Sequence, residues 1–163
     1  MYVDIEISRK AKLLAGVFNA LGLKIDISKF PKRLRIQKIV YMLQLHPEFK
    51  KYLNFNFNIY LRGPYSPELA EAYYNLPDKR EIPEIHLSRE ALEYGKEIAN
   101  IKSDDLEIMA TLIEAIKINK GSINDDELVE LVSNLKPWHS REKIASTLKK
   151  AYTLAKKHNI KLG

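Results

Sequence analysis

The chain has 163 residues and a net charge of +6, enough length for one domain that buries roughly 70% of its unfolded surface. It has no cysteine, which excludes disulfides, thiol catalysis and cysteine-held metal or iron–sulfur centres. No stretch approaches the roughly 18 consecutive apolar residues of a membrane span, and Met1-Tyr2-Val3-Asp4-Ile5-Glu6 is charged too early for a secretory signal.

The chain therefore reads as intracellular, most simply cytoplasmic, with no membrane association. Its 20 lysines and 18 isoleucines also suit a heat-adapted source. Charge is unevenly spread. Residues 1–60 carry 11 basic and 4 acidic side chains, 61–100 carry 5 and 8, and 101–163 carry 11 and 9. From Lys136 onward, 8 basic residues stand against Glu142 alone. Such clustering suits an anionic partner, and equally suits lysine-rich helices with solvated faces.

Apolar spacing at Ala11, Leu14, Ala15, Phe18 and Leu21 predicts a helix over 8–21, with Gly22 where a C-terminal cap belongs. After a loop over 24–30, Pro31 introduces a helix over 32–45, with Ile36, Ile39, Val40 and Leu43 on one face and Pro47 as its stop. Residues 54–61 alternate, with Phe55, Phe57 and Ile59 on one side and asparagines on the other. This predicts a short strand with one buried face, the one convincing β signal. Ser66-Pro67-Glu68 opens a helix to about residue 76 by supplying an N-cap, a proline at the first helical position and an acid in the first turn. A proline-flanked linker follows over 77–87. Further helices are expected from Ser88 to about 101, over 106–119, over 125–135 behind Asn124 and Glu127, and over 141–158 behind Ser140. Trp138 is expected to pin the loop before the last helix. The sum is a mainly α fold of about seven helices with one short extended element near 54–61. It reads as a single domain over 1–163, with 77–87 as the place where two lobes would divide.

Catalytic and metal-binding patterns are missing. His46, His86, His139 and His158 stand far apart, and none pairs with an acid at the spacing of a zinc helix. There is no nucleophile elbow, and the six glycines form neither a dinucleotide fingerprint nor a phosphate loop. Asp104-Asp105 and Asp125-Asp126 could hold a divalent cation. At helix N-termini, though, acids stabilise the dipole by a few tenths to about 1 kcal/mol, and that explains them without a metal. The reading is of a non-enzymatic chain with no cofactor and no metal.

Two stretches remain. On the helix over 32–45, Arg35, Lys38 and Met42 share one face, while Gln37, Tyr41 and Gln44 share the next; Lys29, Lys32 and Arg33 add charge at the same end. This cluster could grip phosphates, or carboxylates of a protein partner. Downstream, Gly63 precedes a proline and so avoids helical angles. Pro64, Tyr65 and Ser66 then turn the chain into a helix start whose N–H groups, beside Arg62, could form an anion pocket or simply aim the helix.

The strings R-L-R-I-Q-K-I-V-Y-M-L at 33–43 and Y-L-R-G-P-Y-S-P-E-L at 60–69 resemble the YwgA-like family of small prokaryotic proteins. More distantly they resemble the Panacea or SocA-like antitoxin domains. These groups pair a basic L-Q-K-[LIV]-x-Y helix with a Y-G-P-x-S-x-x-L turn. Here Ile36 fills the position of the leucine before Gln-Lys, and Leu61-Arg62 stand where members often carry a tyrosine. The segments 106–112 and 135–137 are also similar to YwgA-like sequences. The resemblance implies an α-rich fold. In the antitoxin branch it also implies a function by protein contact, neutralising a toxin or delivering it to a protease. Gln37, Lys38, Tyr41, Gly63, Pro64, Tyr65 and Ser66 are the positions that carry over.

Three functional readings follow. One is a protein-binding, antitoxin-like or adaptor module that contacts its protein partner, such as a toxin, through Arg35, Gln37, Lys38, Tyr41, Arg62, Gly63, Pro64, Tyr65 and Ser66. The second is a helix-turn-helix-like nucleic-acid binder using Lys143, Lys150 and Lys157, which recur every seventh residue on the last helix. The third is an enzyme with a site assembled from scattered residues.

Overall fold

Side-chain capping sets most of the helix boundaries. The structure, a computed structural model, describes residues 4–60 and 63–163, with the backbone alone of Tyr60. Among these residues eight helices form: α1 (Ile5–Ala20), α2 (Phe30–Leu43), α3 (Pro47–Tyr52), α4 (Pro67–Tyr73), α5 (Arg89–Ala99), α6 (Ser103–Ile118), α7 (Asp125–Leu135) and α8 (Arg141–Lys157). A single 3₁₀ turn, Lys79–Glu81, and a two-stranded hairpin, β1 (Asn58–Tyr60) with β2 (Gly63–Tyr65), complete them. The fold is mainly α, as the helical periodicities predict.

Asp4 accepts from the Glu6 N–H at 2.9 Å to start α1. At its far end Gly22 adopts φ +69°, and Leu23 N–H bonds Phe18 O at 2.8 Å, a left-handed cap that only glycine enters at low cost. Ser66, Ser88 and Ser140 cap α4, α5 and α8. Asn124 and Glu127 form a reciprocal capping box on α7. Helices α2 and α6 have no side-chain N-cap, and α6 has Asp104 and Asp105 in its first turn, which leaves α2 the barest start. Proline lies in its first turn, but no side chain caps it and no acid sits there.

Three expectations need correction. Pro47 stops α2 but also starts α3, whose first turn is capped by His46 Nδ1 accepting from Glu48 N–H at 3.2 Å. Residues 63–65, expected to be a turn, form strand β2, while among the described residues of 54–61 the β pairing is confined to Asn58–Tyr60. Within that run Phe55 is buried and Phe57 half-buried, but Ile59 is exposed, so the alternation does not mark one continuous buried face.

The chain divides into two compact units: Met1–Asn58 with Ser66–Asn100, and Ile59–Tyr65 with Ile101–Gly163. The division does not fall within 77–87. That segment packs on the first unit, where a methyl placed on Gly16 of α1 would meet Ile85 and Pro83 O at 2.8 Å. Leu14, Val17, Phe18, Val40, Leu43, Phe49, Leu69, Tyr94 and Ile98 are buried in this unit. Tyr94 donates its hydroxyl to Met42 O, and burial pushes its pKa upward. No helix among the described residues is long and apolar enough to cross a membrane.

In the second unit α6, α7 and α8 pack around Ile108, Leu112, Ile116, Leu128, Val132, Ile144 and Leu148, and β2 packs on α6. Each such side chain contributes about 1.5–3 kcal/mol by leaving water. Tyr152 on α8 donates to Asp125 of α7 at 2.7 Å; burial, then that carboxylate, pushes its phenol up to about 12. One charge is also enclosed. Lys136 is fully buried, its ammonium 2.8 Å from Glu107 Oε1 on α6 and 5.4 Å from the Trp138 ring centroid. Trp138 does not pin its loop to the core, because it is 62% exposed. His139 Nε2 lies buried without a hydrogen bond, 4.0 Å from the same carboxylate.

Glu107→Ala leaves the Lys136 ammonium buried and unpaired, so urea unfolding of the second unit should show a loss of about 3 kcal/mol or more. Combining Glu107→Leu with Lys136→Met should recover most of that loss. If the single variant is as stable as the wild type, the ion pair does not hold α6 to the α7–α8 loop.

Candidate functional site

Gln37 lies on the polar side of α2 and faces the start of α4. Its amide makes two buried hydrogen bonds with one backbone residue: Nε2 donates to Ser66 O at 2.9 Å, and Oε1 accepts from Ser66 N–H at 2.8 Å. Two turns along, Gln44 does the same for Phe55, accepting from N–H at 2.7 Å and donating to O at 3.0 Å. Residues seven apart lie on one face of a helix, so one stripe of α2 grips the backbone at both points. Between them Tyr41 is buried, its ring edge-on to Phe57 with centroids 5.3 Å apart. Lys10 of α1 closes the other side, donating to Asn54 O at 3.0 Å and to Glu68 at 2.9 Å; Glu68 in turn accepts from Asn56 N–H.

This geometry corrects the expected contact surface. Gln37, Lys38, Tyr41 and Ser66 are buried, and Gln37 and Ser66 bind each other. Arg35 is half-buried and donates to Ala99 O at 2.8 Å at the end of α5; burial lowers its pKa. Arg62 lies outside the described residues. Gly63 and Pro64 are in the second unit, and Tyr65 is half-buried there. Among the described residues, those on α2 therefore do not present an exposed cationic ridge.

The second unit supplies a different surface. Thr111, Glu114, Ala115 and Ile118 recur at i, i+3, i+4 and i+7 along α6 and form one wall of a groove. Leu131 and Leu135 of α7 form the second wall, and Ile59, Gly63 and Pro64 of the hairpin form the third. The groove has a volume of about 520 Å³, and Glu114 is the one charged side chain among these lining residues. Ile59 and Ile118 are more than half exposed, at 55% and 53%, and Leu131 and Leu135 are exposed as well. Contiguous apolar surface of this kind on a folded unit marks a binding site more often than chance.

Two of the expected residues, Gly63 and Pro64, thus belong to the groove, but its aliphatic lining was not anticipated. The available signal was α6, which is apolar almost all round, and the extra pair Leu131 and Leu135 beside the inward Leu128 and Val132.

The lysines proposed for nucleic acid have internal partners. Lys143 and Lys150 stand 3.6 and 3.7 Å from opposite oxygens of Asp105 on α6, and Arg141 pairs with Glu130 of α7. Among the described residues no group of three or more His, Asp or Glu side chains is placed to hold a metal ion. No protein-family profile, curated protein or solved structure matches this chain.

Gln37→Ala leaves the buried N–H of Ser66 without a partner, at about 1–3 kcal/mol, while Ser66 O keeps its bond from Ala70 N–H at 3.1 Å. Its midpoint in chemical unfolding should fall well below that of Gln44→Ala, whose bonds are only partly buried. Equal and negligible losses would show that the amides follow the backbone rather than hold it.

Proposed function

We propose that this protein is a protein-binding module whose groove in the second unit accepts the apolar ridge of an amphipathic helix. The observation that carries the reading is the half-exposed aliphatic lining of Ile59, Ile118, Leu131 and Leu135 around one concave surface. A helix in a groove presents side chains at i, i+3 or i+4, and i+7, which suits a trough walled by two helices. The resemblance to YwgA-like and antitoxin-like sequences supports function by protein contact, as an adaptor or as a neutraliser of a toxin. Nucleic-acid binding through α8 is less well supported, because Asp105 offsets two of its three spaced lysines.

Display selection from a library of helical peptides, with leucines at helical spacing, should yield ligands with a Kd of about 10 µM or tighter. Ile118→Glu and Leu131→Glu replace exposed side chains, so stability should change by only about 0.5 kcal/mol. Affinity should fall at least about 30-fold, the cost of losing a central apolar anchor of about 2 kcal/mol. Ligands that bind both variants as well as the wild type, or no ligands at all, would overturn the assignment.

A further inference from the structure

The one tryptophan of the chain, Trp138, faces solvent, yet the residues beside it do not. Lys136 is fully buried and holds Glu107 of α6 at 2.8 Å. The His139 side chain is nine-tenths buried, 4.0 Å from the same carboxylate. Pro137 fixes its own φ between Lys136 and the ring. The loop is therefore clamped on both sides while its largest apolar side chain points outward. Trp138 also adjoins the groove. It follows Leu135 of the second wall by three residues, at most about 11 Å of chain. On the opposite wall Glu107 stands one turn before Thr111, on the stripe that continues through Glu114 and Ile118. Lys136 joins the two walls, its ammonium on Glu107 and 5.4 Å from the indole ring centroid. The ring thus lies beyond the end of the groove marked by Thr111 and Leu135, past one neutralised ion pair.

Building on the helix-in-groove reading, on which this step rests, we infer that Trp138 is the terminal anchor of the groove and takes a fourth apolar side chain of the same bound helix. Ile118 and Thr111 are seven residues apart, about 10 Å along α6, the reach of partner side chains at i, i+4 and i+7. Glu107 lies one turn further, about 6 Å, so the partner side chain that meets the ring is the next on its stripe. The resulting pattern, i, i+4, i+7 and i+11, reads the same in either helix direction. An indole on a clamped loop loses little freedom on contact, which is why fixed tryptophans so often carry binding energy. The occupant is apolar and not cationic. The ring already faces the Lys136 ammonium, which weakens its pull on a second cation. Glu107 and Lys136 answer each other, so the step from wall to ring carries no net charge.

The probe is an acetylated, amidated alanine–glutamine helix with leucines at i, i+4, i+7 and i+11. Two shortened probes carry glutamine in place of the first or the last leucine. Anisotropy of fluorescein-labelled copies reports binding, and unlabelled copies are used to read the emission of Trp138, the one tryptophan. With the wild-type chain, the full probe should move that emission to shorter wavelength and reduce its quenching by acrylamide. One of the two shortened probes should bind about tenfold more weakly and leave the emission unchanged. Trp138→Ala should weaken the full probe about tenfold while hardly affecting that shortened one, and Ile118→Glu should weaken all three. Binding of the full probe that Ile118→Glu weakens, with the emission unmoved, overturns the role of Trp138 and leaves the groove reading standing. No saturable binding, or binding indifferent to Ile118→Glu, overturns both. An emission that shifts with protein concentration alone assigns the ring to a second copy of the chain and overturns its role as an anchor for a partner helix.

Discussion

Two glutamine amides, Gln37 on α2 and Gln44 at its C-terminal cap, hold the backbone of the first unit. The chain leaves the first unit after Asn58 and re-enters it at Ser66, and Gln44 and Gln37 bind the backbone just inside each of those points, at Phe55 and Ser66. An amide is the side chain that presents a donor and an acceptor side by side, as a neighbouring strand would. Glutamate lacks the donor, and asparagine is one methylene shorter. Buried backbone groups must find partners, and for the Ser66 N–H that partner is Gln37. The face of α2 expected to meet another molecule is occupied by the chain itself.

Positive charge follows the same logic. Counted along the sequence, the cations cluster in the first 60 residues and after Lys136. In space most of the informative ones face acids far away in the chain: Lys10 meets Glu68, Lys136 meets Glu107, and Lys143 and Lys150 share Asp105. A buried pair such as Lys136 with Glu107 adds little net stability, because desolvation offsets most of the attraction. Loss of either member is nonetheless severe. A run of lysines in sequence is thus poor evidence for a charged surface when the acids that answer it come from other helices.

Local rules made the helices legible. Gly22, Ser66, Ser88, Asn124 with Glu127, and Ser140 mark boundaries by hydrogen bonds within a few residues, so one short window contains all the information. The role of Gln37 was not legible, since its partner Ser66 depends on where α4 packs. Helix α3 was hidden because Pro47 serves both as the stop of one helix and as the first residue of the next. The alternation through Phe55, Phe57 and Ile59 was real as a pattern, yet those three side chains end in different surroundings. Burial belongs to tertiary packing and not to period alone. The groove escaped notice for a related reason. Periodicity identifies Ile118, Leu131 and Leu135 as apolar but cannot say which apolar residues the core leaves uncovered.

The hairpin wall of that groove also bears on how it can be used. Each strand has three residues, Gly63 adopts φ +94°, and Pro64 has no N–H to donate. So short a ladder, with a proline in it, offers too few backbone groups for an incoming strand to pair along. On the proposed reading, recognition then rests on side chains meeting Ile59, Ile118, Leu131 and Leu135. Among extended and helical ligands, the helix satisfies its own backbone and brings only side chains to the contact. The scarcity of donors on this wall is therefore a physical reason to favour a helical occupant over an extended one, independent of the volume of the groove.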